Sequence, residues 1–308
     1  MKALQEPLTR RRALGCLAFG GAGTLFTLSS GVLAPFDLSR ADEPLIGLPL
    51  FVQLSDTHIG FHGEVNTDVG ATLQLAIERI NSLPQAPALV LHTGDITDNA
   101  RPEEFDAAAA HLRSLRVTEL HTVPGEHDLA DARASEYFNR YGRASRGRGY
   151  YSFDHQGVHF VALVNVRNFR QGSLGSLGEE QLKWLAEDLD DRPASTPIVV
   201  FAHMPLWDVY RPWGWGTSDA EAALLHLRRF GSVTILNGHV HQVIQKTEGN
   251  LTLHATRSTA YPQPLPGDPA GPGPQQVAPG RLLKSLGLTS LRISGQPPMV
   301  ALNDSTIG

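Results

Sequence analysis

Five times along the chain a short apolar run ends in acidic or imidazole side chains, and this recurrence restricts the fold more than any other feature. Leu50 to Leu54 lead into Asp56-Thr57-His58, Ala88 to Leu91 into Gly94-Asp95, and Val117 to Val123 into Gly125-Glu126-His127-Asp128. Pro197 to Ala202 lead into His203, and Val233 to Leu236 into Asn237-Gly238-His239-Val240-His241. Runs of this length bounded by turn residues read as buried strands of a parallel sheet, and open α/β sheets carry their sites at the carboxyl ends of such strands. All five strands are therefore expected to present ligand-type side chains at one sheet edge. Each junction alone is a weak signal, because an acidic turn after a strand is ordinary in any βα unit.

Between these runs the pattern changes to a helical period. Val69, Leu73, Ala76, Ile77, Ile80 and Leu83 recur at helical spacing until Pro84. Pro102 opens a second helix, with Phe105, Ala109, Leu112 and Leu115 on its inner face. Glu179 to Leu189 form a third, and Ser218 with Glu221 suggest a capping box for a fourth that Gly231 ends. Tyr150 to Phe153 and Val158 to Val164 read as paired strands, and Val243 to Lys246, Leu251 to Ala255, Leu288 to Ile293 and Val300 to Leu302 as further strands. Tyr261 to Gly280, rich in proline and glycine, reads as an irregular loop.

The first forty residues are of another kind. Arg10, Arg11 and Arg12 precede a run from Ala13 to Phe36 without a charge, and Ser39 and Ala41 are small enough for cleavage after Ala41. This layout, with Gly20, Gly21, Gly23 and Gly31 in the run, resembles a twin-arginine export signal over residues 1–41. An uncleaved anchor is the plainer reading of so long a run, but its Gly, Ser and Thr content and Pro35 speak against a stable membrane anchor. The expectation is export to the periplasm or outside of a bacterium, with the twin-arginine machinery as a transient partner. A domain from 42 to 308 would then carry 21 basic and 29 acidic residues, a net −8 that does not suit nucleic-acid backbones. Cys16, the single cysteine, lies in the signal, so thiol ligands and disulfides are excluded from that domain.

Aspartate, glutamate and histidine without cysteine suit Mn, Fe or Zn in a catalytic setting rather than a structural zinc knuckle. Taken together and in this order, Asp56-x-His58, Gly94-Asp95, Gly125-Glu126-His127-Asp128, His203 and Gly238-His239-x-His241 resemble the motif set of the calcineurin-like metallophosphoesterases. Ser55-Asp56-Thr57-His58, Thr93 to Asp98, Val123-Pro124-Gly125 and Tyr150 to Phe153 look most like the branch with the class III cyclic-nucleotide phosphodiesterases. The resemblance implies one α/β domain of four layers, an α/β/β/α sandwich of two mixed sheets flanked by helices. It implies two divalent or mixed-valence metal ions, Asp56, His58 and His241 holding the first, His203, His239 and Glu126 the second, and Asp95 bridging. It implies His127 as the acid near the leaving oxygen, with Asp98 orienting that imidazole. The function implied is hydrolysis of a small phosphoester, with a diester favoured and cyclic nucleotides among the candidates, by a hydroxide that the dinuclear centre activates. The chain departs from the pattern at Glu126, where the family has asparagine. Two alternatives stay open, a phosphomonoesterase or nucleotidase, and a non-hydrolytic metal-binding relative impaired by the extra negative charge of Glu126.

The remaining candidates read more simply. His62, His92, His111, His121, His155, His159, His226 and His254 match no ligand position and are read as surface or core residues. Trp207, Tyr210, Trp213 and Trp215 can stack a base or pack their own loop. Arg143, Arg146 and Arg148 can meet a phosphate, although a solvated loop is the plainer reading.

Overall fold

The computed structural model describes residues 26–29, 32–35, 50–130, 135–145, 148–294 and 299–308. The chain forms two units, residues 1–46 and 47–308. The described part of the first is an antiparallel hairpin of β1 (Phe26–Ser29) and β2 (Val32–Pro35), with Phe26 opposite Pro35. The paired arginines, Cys16 and the cleavage point at Ala41 lie outside the described residues. No helix among the described residues is long and apolar enough to cross a membrane.

The second unit runs β3 (Leu50–Leu54), α1 (Val69–Asn81), β4 (Leu89–His92), α2 (Pro102–Leu112), β5 (Leu120–Thr122), α3 (Ser135–Tyr141), β6 (Tyr151–His155) and β7 (Val158–Ala162). It continues with α4 (Glu179–Asp190), β8 (Ile198–Phe201), α5 (Ala220–Leu227), β9 (Val233–Asn237), β10 (Ile244–Glu248) and β11 (Leu251–Ala255). A short α6 (Leu282–Ser285), β12 (Gly287–Ser294) and β13 (Met299–Thr306) complete it. One sheet has the order β13-β12-β3-β4-β5 and the other β10-β11-β9-β8-β7-β6. Both are mixed: β3, β4 and β5 are parallel in the first, and β7, β8, β9 and β11 in the second, with antiparallel strands outside them.

The apolar strand runs are explained by burial on both faces. In β3, Phe51 faces the other sheet while Val52 and Leu54 face the helices; in β8, Val199 and Phe201 face the first sheet while Ile198 and Val200 face α4 and α5. Alternation with period two thus serves two cores at once. Phe51 and Phe160 meet edge to face between the sheets at 5.1 Å, and Phe153 stacks on Phe160 at 4.9 Å. The result is the four-layer α/β/β/α sandwich. Because β3, β4 and β5 belong to one sheet and β8 and β9 to the other, the ligand-bearing edge is not that of one sheet: two packed sheets share it.

Local signals hold in part. Asp68 caps α1, its carboxylate accepting the Ala71 N–H (2.9 Å), and Pro102 stands first in α2 with Glu104 accepting the Arg101 N–H (3.3 Å). The capping box at Ser218 does not form. Ser218 donates to the Gly175 carbonyl, and the Asp219 carboxylate accepts from Leu177 and Gly178, so tertiary donors displace the local ones. β5 is shorter than the strand expected over Val117 to Val123 and pairs only with β4.

Truncating Phe160, fully buried between the sheets, removes the ring on which both neighbours rest. Phe160→Ala should destabilise by about 3–5 kcal/mol in urea unfolding, against less than about 0.5 kcal/mol for Leu225→Ala at the surface.

Candidate metal centre

The loops that leave the strands continue the parallel pairing for a few residues. Asp56, His58 and Ile59 donate their N–H groups to the carbonyls of Gly94, Asp95 and Ile96, each at 3.0 Å. Zipped this way, the two loops turn their side chains to one point by left-handed backbone: φ is 52° at Asp56, 41° at His58, 51° at Asp95, 66° at His239 and 52° at His241. For residues with a Cβ this costs about 1–2 kcal/mol each, and such strain gathers at functional sites. Two glycines make room. A Cβ on Gly94, itself at φ 94°, would lie 2.7 Å from the Gly125 nitrogen and from His203 Nδ1, and one on Gly238 would lie 2.1 Å from Ser55 Oγ.

Asp56, His58 and His241 form one group, with ligand atoms within 4.8 Å of one another. His241 Nε2 lies 3.2 Å from Asp56 Oδ1 and 3.3 Å from His58 Nε2, while His241 Nδ1 donates to the Tyr261 carbonyl at 2.7 Å. His58 Nδ1 donates to Asp98 Oδ1 at 3.1 Å. Glu126, His203 and His239 form a second group, Glu126 Oε2 being 2.9 Å from His203 Nε2 and Oε1 2.9 Å from His239 Nδ1. His203 Nδ1 is tied to the Thr93 carbonyl at 2.8 Å. Asp95 stands between the groups, its Oδ2 3.2 Å from His203 Nε2 and 3.6 Å from His58 Nε2.

These donors fit metal ions. The outer nitrogens of His58 and His241 donate to oxygen acceptors, so that their inner nitrogens, 3.3 Å apart, are the atoms turned to the cluster as ligands. His203 Nε2 and Glu126 Oε2 are buried and have no hydrogen-bond partner, although they face each other. Such orphaned inward atoms call for a cation. The charges agree. Burial alone would lower His203, but Asp95 and Glu126 raise it well above its ordinary value. Burial alone would raise Asp56 and Glu126, yet the surrounding imidazoles hold both below the usual carboxylate range. The cluster demands positive charge, as protons or as metal.

His127 borders the cluster, its ring 4.8 Å from that of His58 and its side chain 39% exposed, the most open of these imidazoles. Burial opposes its protonation, but Asp95 and Glu126 outweigh it and push it up to about 9. The structure corrects the part expected of Asp98. Its carboxylate bonds to His58; what holds His127 Nδ1 is the Asp98 main-chain carbonyl, at 2.7 Å, with the carboxylate 3.9 Å away.

Two buried residues outside the expected set shape the centre. Asp128 accepts from the N–H groups of Ile96 (3.0 Å), Thr97 (2.8 Å) and Gly125 (3.0 Å) and from the Thr97 hydroxyl, joining the loops after β4 and β5. Burial and the Asp95 charge push this carboxyl up to about 7 against those donors. His92 accepts the Gly94 N–H on Nδ1 (3.2 Å) and meets the Thr57 hydroxyl with Nε2 (3.2 Å); burial lowers it to about 4, consistent with the neutral ring those bonds require. Asp128 was visible in its motif, whereas His92 carries no signal beyond an apolar strand.

Elsewhere the plainer readings describe what is found. His159 bonds to Asp154 and Asp188, His254 to Asp304, His62 to the Thr67 carbonyl, and His121 stacks on Phe153, none in the candidate groups. Trp215 is buried and meets Trp213 at 4.9 Å, Trp213 meets Tyr210 at 5.2 Å, and Trp207 joins the same core, so these aromatics pack their loop. Arg143 lines a cavity beneath α3 with Tyr141 and Tyr151, away from the candidate ligands, and Arg146 lies outside the described residues.

Comparison with known proteins gives the same direction. The calcineurin-like phosphoesterase family pattern matches residues 49–243. A probable glycerophosphodiester phosphodiesterase, GpdQ, of Arcobacter nitrofigilis is 30% identical over 216 residues, 63% of this chain and 72% of that one. A 3',5'-cyclic-nucleotide phosphodiesterase of Nostoc is 26% identical over 188 residues, 60% of this chain and 67% of that one. A dimetal phosphatase from Danio rerio has the same fold, with a TM-score of 0.63 at 15% identity over 85% of this chain and 97% of that one. With its strand-end ligands in two adjoining groups, the chain belongs to the calcineurin-like phosphoesterase family and is a metal-dependent phosphoesterase.

Proposed function

We propose that the protein hydrolyses a small phosphodiester at a dinuclear centre in which Asp56, His58 and His241 hold one ion, Glu126, His203 and His239 the other, and Asp95 bridges them. The observation that carries this reading is the pair of donor groups with Asp95 in reach of both. Relatives named for glycerophosphodiesters and for cyclic nucleotides support diesters, cyclic nucleotides among them. When bound, the ions supply positive charge for the phosphoryl oxygens and a nucleophile at neutral pH; Mn, Fe and Zn suit the donors.

The chain's own residues do the rest. His127, held through Nδ1 by the Asp98 carbonyl, keeps Nε2 for the proton that the leaving oxygen takes. Asp98 fixes the ring of His58, and Thr93 that of His203, so that each presents Nε2 inward. Glu126 sets the choice of ester. With three carboxylates in the ligand set, the pull on a nearly doubly charged monoester falls more than the pull on a singly charged diester. Removing one unit charge about 4 Å from the reacting group is worth from about 1 kcal/mol at the dielectric of water to about 4 kcal/mol at an effective protein dielectric of about 20, or at least roughly fivefold in rate.

Mature protein loaded with Mn should cleave bis(p-nitrophenyl) phosphate faster than p-nitrophenyl phosphate, and Glu126→Asn should raise diester turnover near neutrality and narrow that preference. Absence of hydrolysis of both esters in protein carrying two ions would overturn the hydrolytic reading. Lower turnover with metal loss in Glu126→Asn would instead mean that the glutamate matches a more highly charged ion.

We further propose that residues 1–41 act as a twin-arginine export signal, that the export machinery is a transient partner, and that the enzyme works in the periplasm or outside the cell without a stable membrane anchor. The acidic domain makes nucleic acid an unsuitable partner. Replacing Arg11 and Arg12 with Lys should leave uncut precursor in the cytoplasmic fraction; unchanged export would refute this signal type.

A further inference from the structure

One hexapeptide far from every ligand motif touches four of the seven candidate ligands. Ser258 donates its hydroxyl to the Asp56 carbonyl at 2.7 Å and accepts the N–H groups of Ala260 (2.8 Å) and Tyr261 (3.2 Å). The Tyr261 carbonyl accepts from His241 Nδ1, and the Tyr261 hydroxyl stands 3.3 Å from His58 Nε2 and 3.5 Å from its Nδ1. Its ring packs against both imidazoles, 4.9 Å from His58 and 4.7 Å from His241, and is backed by Phe61 at 4.5 Å. Gln263 donates to the His239 carbonyl at 2.8 Å. The segment is itself anchored: Asn66 donates to the Ala260 carbonyl at 2.7 Å, and Gln242 to the carbonyls of Gln263 (3.1 Å) and Pro264 (2.6 Å).

The four ligands it touches, Asp56, His58, His239 and His241, are four of the five that adopt left-handed backbone. Strain of this kind persists only where the surroundings over-determine it. Three of the four make up the first group, whereas in the second group the segment reaches only the His239 carbonyl.

We propose that Ser258–Gln263, which leads into the proline-rich loop, is a positioning brace for the first metal position, with Tyr261 as its principal residue. Tyr261 selects the His241 tautomer through its carbonyl and confines the His58 and His241 rings with its side chain, which is 5% exposed. The brace acts through the ligands and takes no part in proton transfer. This inference rests on the dinuclear reading above.

Stepwise Mn(II) binding to metal-stripped mature protein, followed by calorimetry, tests it. Tyr261→Ala should raise the Kd of one ion by about tenfold or more and leave the other within about twofold, with Tyr261→Phe, which keeps the ring, between it and wild type. Glu126→Ala should weaken the opposite ion. Should Tyr261→Ala fail to fold, Ser258→Ala, which removes the hydroxyl that ties Asp56 to the Ala260 and Tyr261 N–H groups, should weaken the same ion as Tyr261→Phe. Unchanged affinities in Tyr261→Ala and Ser258→Ala, or equal weakening of both ions, would overturn the brace. If wild-type protein itself fails to bind two ions, the dinuclear reading falls instead.

Discussion

Everything in this molecule depends on a concentration of negative charge and inward lone pairs that the protein does not neutralise with lysine or arginine. Among the described residues the basic side chains that meet Asp56, Asp95 and Glu126 are imidazoles. Several of those imidazoles donate from their outer nitrogen to a carbonyl or carboxylate, which turns the inner nitrogen to the cluster, where an ion would take its lone pair in place of a proton. Buried anions facing such lone pairs are stabilised by a cation in their midst. The fold is the scaffold that makes the arrangement affordable.

That scaffold works by convergence. Two sheets packed through Phe51, Phe160, Val199 and Phe201 bring the ends of five parallel strands to a common edge. Behind the centre, Gln53 reaches across the interface to the Asn237 carbonyl (3.0 Å) while also donating to Thr93 of its own sheet (3.0 Å), so that the two sheets are pinned by a polar bond as well as apolar packing. Asp128 then draws the loops after β4 and β5 together, and Ser258 to Gln263 draw the loops after β3 and β9 together. The strained ligand backbones are held from both sides.

The parts of this design that repeat locally are legible in the sequence. Apolar runs followed by Asp-x-His, Gly-Asp or Gly-His-x-His announce both the strands and the ligands, because each strand places its own side chains. Interactions set by tertiary neighbours are not legible. The family resemblance implies a link from Asp98 to His127, but which of its oxygens meets which ring depends on a rotamer, and the carboxylate takes His58. The box at Ser218 and Glu221 fails because the N–H groups of Leu177 and Gly178 arrive from 42 and 41 residues away to claim Asp219. Ser258 and Tyr261 have no ligand-type pattern and act on residues 202 and 203 positions earlier, so only the folded chain reveals them.

The central claim is that two ions share Asp95. Electron paramagnetic resonance of mature protein titrated with Mn(II) tests it most directly. The account predicts that the second equivalent replaces the six-line spectrum of an isolated ion with the multiline pattern of an exchange-coupled pair, and that Asp95→Asn weakens the coupling. Saturation at one equivalent, or two equivalents that keep uncoupled spectra, would contradict it.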